Sequence, residues 1–284
     1  MTPRPALSLS SGEKRGSDDD SVTTASMAAR KGRIALVGSG PGDPGLLTTS
    51  ALEAITTADL VLCDKLVPKA VLDLIPEHIE TYIAKKFPGN AEAAQQELLN
   101  MGLAGANAGK YVVRLKQGDP YVFGRGAEEY IFFKEHGYRC SVIPGITSAL
   151  AAPLLAAISP THRQVADQVL ICTGTGRNGA APVMPEYVET RTTVFLMALH
   201  RLADVVCWLR EAGWSMSVPC AIIERASCPD QRVIRSTLEH ITEAFETLGS
   251  MPPGLLVTGN TCIVMETVPE GERWTVEEGY SLFL

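Results

Sequence analysis

From Arg33 onward the chain alternates apolar strand-like runs with helix-like runs, and most strands stop at a glycine or proline turn. RIALVG (33–38) reads as a buried strand, and LLTTSALEAITTA (46–58) as a helix by its apolar spacing. Strands follow at DLVLCD (59–64), IETYIA (79–84), YVVRL (111–115) and CSVIP (140–144). Helices are expected between them near 69–74, at 91–105 and at 126–137. Strand–helix alternation of this kind dictates βαβ units, because parallel neighbours need a long crossover. PGITSALAAPLLAAISPTHR (144–163) breaks the rhythm with three prolines. A second series then begins: VLICTG (169–174), TVFLM (193–197), CAIIER (220–225), RVIRST (232–237) and LLVTGNTCIVM (255–265), with a helix at 202–213. The expectation is two α/β/α domains, 32–143 and 167–284, joined by a linker and helix at 144–166. Their mostly parallel or mixed sheets would face each other across a central cleft, where ligands gather at the carboxyl ends of strands.

Residues 1–31 are a different material, rich in Ser, Thr and small residues and carrying Asp18, Asp19 and Asp20. Such a segment has too little apolar surface to order itself, so a disordered tail is expected. The formal charge of -7 argues against a nucleic-acid or acidic-membrane partner. Seven scattered cysteines without a C-x-x-C pair read as reduced core residues of a reducing compartment. No apolar run is long enough to span a bilayer. A soluble, cytoplasmic protein without a metal site is expected.

Chemistry concentrates in a few turns. LVGSGPGDPGLLT (36–48) fits the dinucleotide pattern G-x-G-x-x-G through Gly40, Gly42 and Gly45, and Asp64 follows about 20 residues later. Pro41 and Pro44 oppose that reading, since each removes an N–H donor from a loop that should cradle a diphosphate. A plain Gly-Pro connection is also open. VVRLKQGDPYVFGRG (112–126) carries a second Gly-Asp-Pro at a strand end. Asp119 is suited to accept hydrogen bonds from a ribose or an amino group, or simply to nucleate the turn. Arg114, Lys116 and Arg125 make this segment basic in an acidic chain, which suggests a polyanionic small substrate nearby. In VIPGITSA (142–149), Thr147 and Ser148 either cap a helix or meet a ligand. Thr161-His162-Arg163 adds a cationic cluster at the domain junction.

Taken in order, GSGPGDPGLLT, CDKLV (63–67), IAKK (83–86), KQGDPYVFGRG, VIPGITSA, SPTHR (159–163), FLM (195–197) and IERASCPDQR (223–232) closely resemble one family. It is the tetrapyrrole methylases, class III S-adenosylmethionine-dependent methyltransferases, in their uroporphyrinogen-III C-methyltransferase branch. The chain departs from the family pattern at Cys63, Ala84, Gln117, Thr175 and Ala198. The resemblance implies transfer of methyl groups from two S-adenosylmethionine molecules to two ring carbons of uroporphyrinogen III. The product would be precorrin-2, for sirohaem or corrinoids, made by a homodimer. It assigns Asp64 as proton acceptor and Lys85 as proton donor. Pro41, Gln117, Gly118, Asp119, Val122, Thr147, Ser148, Met197 and Ala226 are the matching cofactor positions. Lys86, Arg125 and Arg163 are candidate counter-charges for the eight substrate carboxylates. Three other readings stay open: another methylase of the superfamily, an NAD-dependent oxidoreductase placing Asp64 on a ribose, and a catalytically silent binding module. For Asp64 and Lys85 taken alone, a helix cap and a solvated lysine remain the competing roles.

Overall fold

The computed structural model describes residues 32–84, 91–176 and 179–280. The tail expected at 1–31 and the candidates Lys85 and Lys86 lie outside them. The first series forms five strands: β1 (Arg33–Gly38), β2 (Leu60–Cys63), β3 (Glu80–Ile83), β4 (Tyr111–Lys116) and β5 (Ser141–Ile143). All pair in parallel, in the order β3-β2-β4-β1-β5. β4 therefore separates β1 from β2, unlike a Rossmann sheet, where those two are neighbours. Alternate residues point to opposite faces. Val37, Val61, Cys63, Val113 and Leu115 pack with Ala51 and Ile55 of α1 (Thr49–Thr56). Ile34, Leu36, Leu62 and Val112 pack with Leu98 of α3 (Ala91–Asn107) and Phe133 of α4 (Gly126–Glu135). A one-turn helix, α2 (Lys69–Leu72), lies between β2 and β3. After β5, the side chain of Thr147 accepts from Ala149 N–H and starts α5 (Ser148–Leu155).

The second series builds a six-stranded sheet from β6 (Gln168–Thr173), β7 (Arg191–Leu196), β8 (Pro219–Glu224), β9 (Arg232–Thr237), β10 (Gly254–Thr258) and β11 (Thr275–Glu278). Its order is β11-β9-β8-β10-β7-β6, with only β6 and β7 parallel. The amphipathic helices α6 (Leu202–Glu211) and α7 (Ile241–Leu248) bury Leu202, Val205, Leu209, Ile241 and Ala244 against one face. Ala149 and Ala152 of α5 pack with Val194, Ile223 and Val257 of the sheet.

Two elements differ from the sequence expectation. LLVTGNTCIVM is not one strand: β10 ends at Thr258, Gly259 takes φ +127°, and Asn260–Ile263 winds into a 3-10 turn. Gly259 donates its N–H to the Pro219 carbonyl. A β-carbon there would stand 2.8 Å from the Arg191 carbonyl oxygen, so the chain turns where only glycine fits. The other is β11, a polar edge strand unforeseen in the sequence, whose Glu277 pairs at 2.7 Å with the buried Arg235.

Candidate active site

The loops leaving β1, β4 and β5 meet at the carboxyl end of the parallel sheet and brace each other. Gly40 and Gly118 exchange backbone hydrogen bonds at 3.3 and 2.9 Å, tying the two Gly-Asp-Pro loops together. Asp119 accepts from Tyr121 N–H at 2.8 Å and reaches Gly145 N–H at 3.3 Å, linking the β4 and β5 loops. Gly145 fits because it has no side chain: a β-carbon would lie 2.1 Å from the Gly118 carbonyl oxygen. Gly118, at φ +68°, is the reverse case, with nothing nearer than 4.0 Å to a β-carbon. Its open side is left for a ligand. In the first loop, Gly45 N–H is held by Asp43 at 2.7 Å, and Asp43 N–H by Ser227 at 2.9 Å. With Pro41 and Pro44 lacking donors and the Asp43 and Gly45 amides engaged, this loop offers a diphosphate little.

The second sheet supplies the facing wall. β10 runs antiparallel between β7 and β8, so its first residues lie beside their last ones. Leu255 registers with Leu196 on one side and Ile223 on the other, forming an apolar row across three strands. Met197, Arg225 and Ser227 follow the strand ends in left-handed backbone, as do Phe123 and Arg125 opposite. Each such non-glycine residue costs on the order of 1–3 kcal/mol, and strain of this kind gathers at ligand sites.

Between these walls lies a cavity of about 600 Å³, within the range for a cofactor-sized ligand. Pro41, Gln117, Gly118, Asp119, Val122, Thr147, Ser148, Met197 and Ala226 all line it, as do Asp64 and Arg125. Arg163 is exposed in the loop between α5 and β6 and is not among the lining residues. Arg125 is engaged by Glu92 at 3.1 Å and Glu128 at 2.7 Å.

Asp64 does not cap the following helix, whose N-cap is Pro68 without a side-chain bond. One carboxylate oxygen instead meets Arg114 Nη2 at 2.5 Å, and the other lies 3.9 Å from Lys116 Nζ. Arg114 and Lys116 are 1% and 2% exposed, Asp64 18%. Alternation along β4 points both cations inward, so their charges meet carboxylates of the protein itself, while Lys116 still lines the cavity. There they share Glu129 of α4, 0% exposed, at 3.2 Å from Arg114 and 2.5 Å from Lys116. Gln95 of α3 donates to the same Glu129 oxygen at 2.7 Å. Burial, then the neighbouring Arg114, holds the Lys116 amine below its usual pKa. Burial also pushes the adjacent Cys63 thiol up to about 12, so it stays protonated and inert.

The sequence reading missed Glu129 and Gln95. The signal for Glu129 was present: two cations at alternate positions of a buried strand demand an anion on the helix they face. It also missed His200, whose side chain lies 3.1 Å from that of Thr175 on the cavity wall, and the wall segment around Pro252 and Pro253.

Residues 33–242 match the family described as Tetrapyrrole (Corrin/Porphyrin) Methylases. A Saccharomyces cerevisiae protein named uroporphyrinogen-III C-methyltransferase is 57% identical across 89% of this chain, which covers 43% of that relative. A Schizosaccharomyces pombe relative is 59% identical across 82% of the chain, again covering only 47% of its length. The chain thus spans less than half of these two curated relatives. The crystal structure of a uroporphyrin-III C-methyl transferase from Thermus thermophilus, complexed with S-adenyl homocysteine, superposes with a TM-score of 0.71 at 35% identity. That match takes in 82% of this chain and 94% of the other. With motifs, sheet order and cavity all laid out as above, the chain belongs to the tetrapyrrole methylases.

Proposed function

We propose that this protein is a uroporphyrinogen-III C-methyltransferase, placing methyl groups from S-adenosylmethionine on two ring carbons to give precorrin-2. The observation that carries this reading is the cavity where motif loops of both sheets converge beside Asp64. Its donor set suits an adenosine cofactor without phosphates, because Pro41 and Pro44 carry no N–H and the Gly40, Asp43 and Gly45 amides are already taken. Bound S-adenosylmethionine would supply an activated methyl group on a positively charged sulfur. The protein's part is alignment: the braced loops and the open side of Gly118 fix where a ligand sits, which is worth several powers of ten in rate. Once a ring carbon is alkylated, the tetrapyrrole becomes cationic and must lose a proton. Asp64, at the cavity wall, accepts that proton; Lys85 is proposed as the donor. Half-exposed Leu66, Phe123 and Met197 give the cavity apolar faces for a macrocycle. Arg125, with Lys86 and Arg163, is proposed for the substrate carboxylates, which would compete with Glu92 and Glu128 for its guanidinium.

The two sheets are proposed as the cores of two domains meeting at this cavity. A homodimer in the cytoplasm completes the proposal. Leu150 and Leu154, one turn apart and exposed on α5, form an apolar stripe of the kind a second copy covers. Among the described residues no helix is long and apolar enough to cross a membrane.

Titration calorimetry tests the cofactor assignment. S-adenosylhomocysteine should bind the wild type with 1:1 stoichiometry, undisturbed by excess NAD. Gly145→Ala, which drives a β-carbon into the Gly118 carbonyl, should weaken that binding and slow methyl transfer about 10²-fold, as misplacement by about 1 Å does. Tight NAD binding without a response to S-adenosylhomocysteine would overturn the assignment.

A further inference from the structure

Asp64 has a difficulty as a proton acceptor. Arg114 lies 2.5 Å from one of its oxygens and Lys116 3.9 Å from the other. Two adjacent cations favour the ionised form so strongly that the carboxylate would be a poor base. The same two cations, however, are shared. Glu129 takes Lys116 at 2.5 Å, closer than Asp64 does, and reaches the same Nη2 of Arg114 at 3.2 Å.

Glu129 is also oddly chosen for a purely structural post. One oxygen serves Gln95, Arg114 and Lys116, while Oε2 is fully buried with no hydrogen-bond partner among the described residues. A bare buried carboxylate oxygen costs stability. Glutamine in the same pose would accept the same hydrogen bonds through its carbonyl. What glutamate adds is one negative charge.

We propose that Glu129 is a positioning residue for proton transfer: its charge offsets Lys116 and part of Arg114, leaving Asp64 basic enough to take the proton shed by the methylated ring. The proposal rests on the reading of Asp64 as the proton acceptor. Among the described residues, the charged groups facing Asp64 are Arg114 and Lys116 from β4 and, behind them, Glu129 from α4. Gln95 of α3 is neutral, and the Cys63 thiol on β2 stays protonated. Within this described set, two cations and two carboxylates balance. Burial and Arg114 hold the Lys116 amine below its ordinary pKa, and the contact with Glu129 at 2.5 Å opposes them.

The balance makes opposite predictions for its two members, which a merely structural role does not. Single-turnover methyl transfer would be followed from about pH 3 to 9 on the full chain, with folding checked by thermal melting at each pH. Glu129→Gln leaves two cations facing one carboxylate; the acid limb of the profile should move down by about one pH unit and the plateau should fall. Lys116→Gln leaves one cation against two carboxylates; the acid limb should move up by a similar amount. The double variant restores neutrality and should return the limb near its wild-type position, a coupling that additive structural damage would not give. Glu129→Asp, which keeps the charge, should leave the limb in place even if the fold loosens, and it serves where Glu129→Gln is too unstable to assay. Limbs that stay fixed in folded variants, or that move the same way in both single variants, overturn the proposal. Asp64→Asn is the separate control. If it keeps normal turnover and an unchanged acid limb, the base assignment itself fails, whatever Glu129 does.

Discussion

Replacing Asp64 by Asn should lower methyl transfer about 10²–10⁴-fold, the usual contribution of a positioned general base. The side chain keeps its size, so cavity shape and affinity for S-adenosylhomocysteine should stay close to wild type. Stability should fall modestly. Arg114 loses a charged partner at 2.5 Å but keeps Glu129 at 3.2 Å, so the guanidinium is not stranded in the core. Single-turnover kinetics and calorimetry on the same preparation separate the outcomes. Loss of turnover at unchanged cofactor affinity supports the base. Loss of cofactor binding at full stability would move Asp64 to the adenosine ribose, and normal turnover would leave loop alignment as the whole of catalysis.

The largest effect on stability is expected at a different buried ion pair. Glu224, the last residue of β8, accepts from Arg232 Nε at 2.8 Å and from Nη2 at 2.5 Å, and its second oxygen takes Met251 N–H at 2.6 Å. Arg232 in turn caps the end of α7 through the Leu248 and Gly249 carbonyls. Glu224→Ala strands a buried guanidinium and should cost about 3–5 kcal/mol in urea unfolding. It should also weaken cofactor binding, because the segment it ties down leads into Pro252 and Pro253 on the cavity wall. Glu224→Leu with Arg232→Met, which removes both charges, should recover much of the stability. Equal losses in the single and double variants would contradict this account.

The two sheets were not equally legible. β1 and β2 are apolar runs closed by Gly and Asp, β4 is one interrupted by Arg114 and closed by Lys116, and their limits lie within a residue or so of the expected ones. β10 misled because Thr258-Gly259-Asn260 interrupts an apolar stretch: Leu256 and Val257 are core strand, Cys262 is buried from a 3-10 turn, and Ile263, Val264 and Met265 are exposed. An apolar run does not by itself make a strand, and Gly259 alone marked the turn. β11 escaped because Thr-Val-Glu-Glu is polar and exposed, and its place depends on Arg235, 42 residues away. The cavity loops were legible because glycine and proline act locally: Gly118 and Gly145 stand where backbones nearly touch. The Asp64 cluster was not, since its members lie on β2, β4, α3 and α4 and nothing local ties 64 to 114 or 129. There Arg114 and Lys116 suggested a polyanionic substrate nearby, and nothing local announced the protein carboxylates that they meet.

The most direct measurement is the methyl count on the tetrapyrrole. Purified protein, uroporphyrinogen III and S-adenosylmethionine carrying a labelled methyl group would be incubated without oxygen, and the product mass and label followed together. The account predicts two labelled methyl groups on each tetrapyrrole, two S-adenosylhomocysteine molecules released for each, and loss of both with Asp64→Asn. A protein that binds S-adenosylhomocysteine in this cavity yet leaves uroporphyrinogen III unmethylated would contradict it.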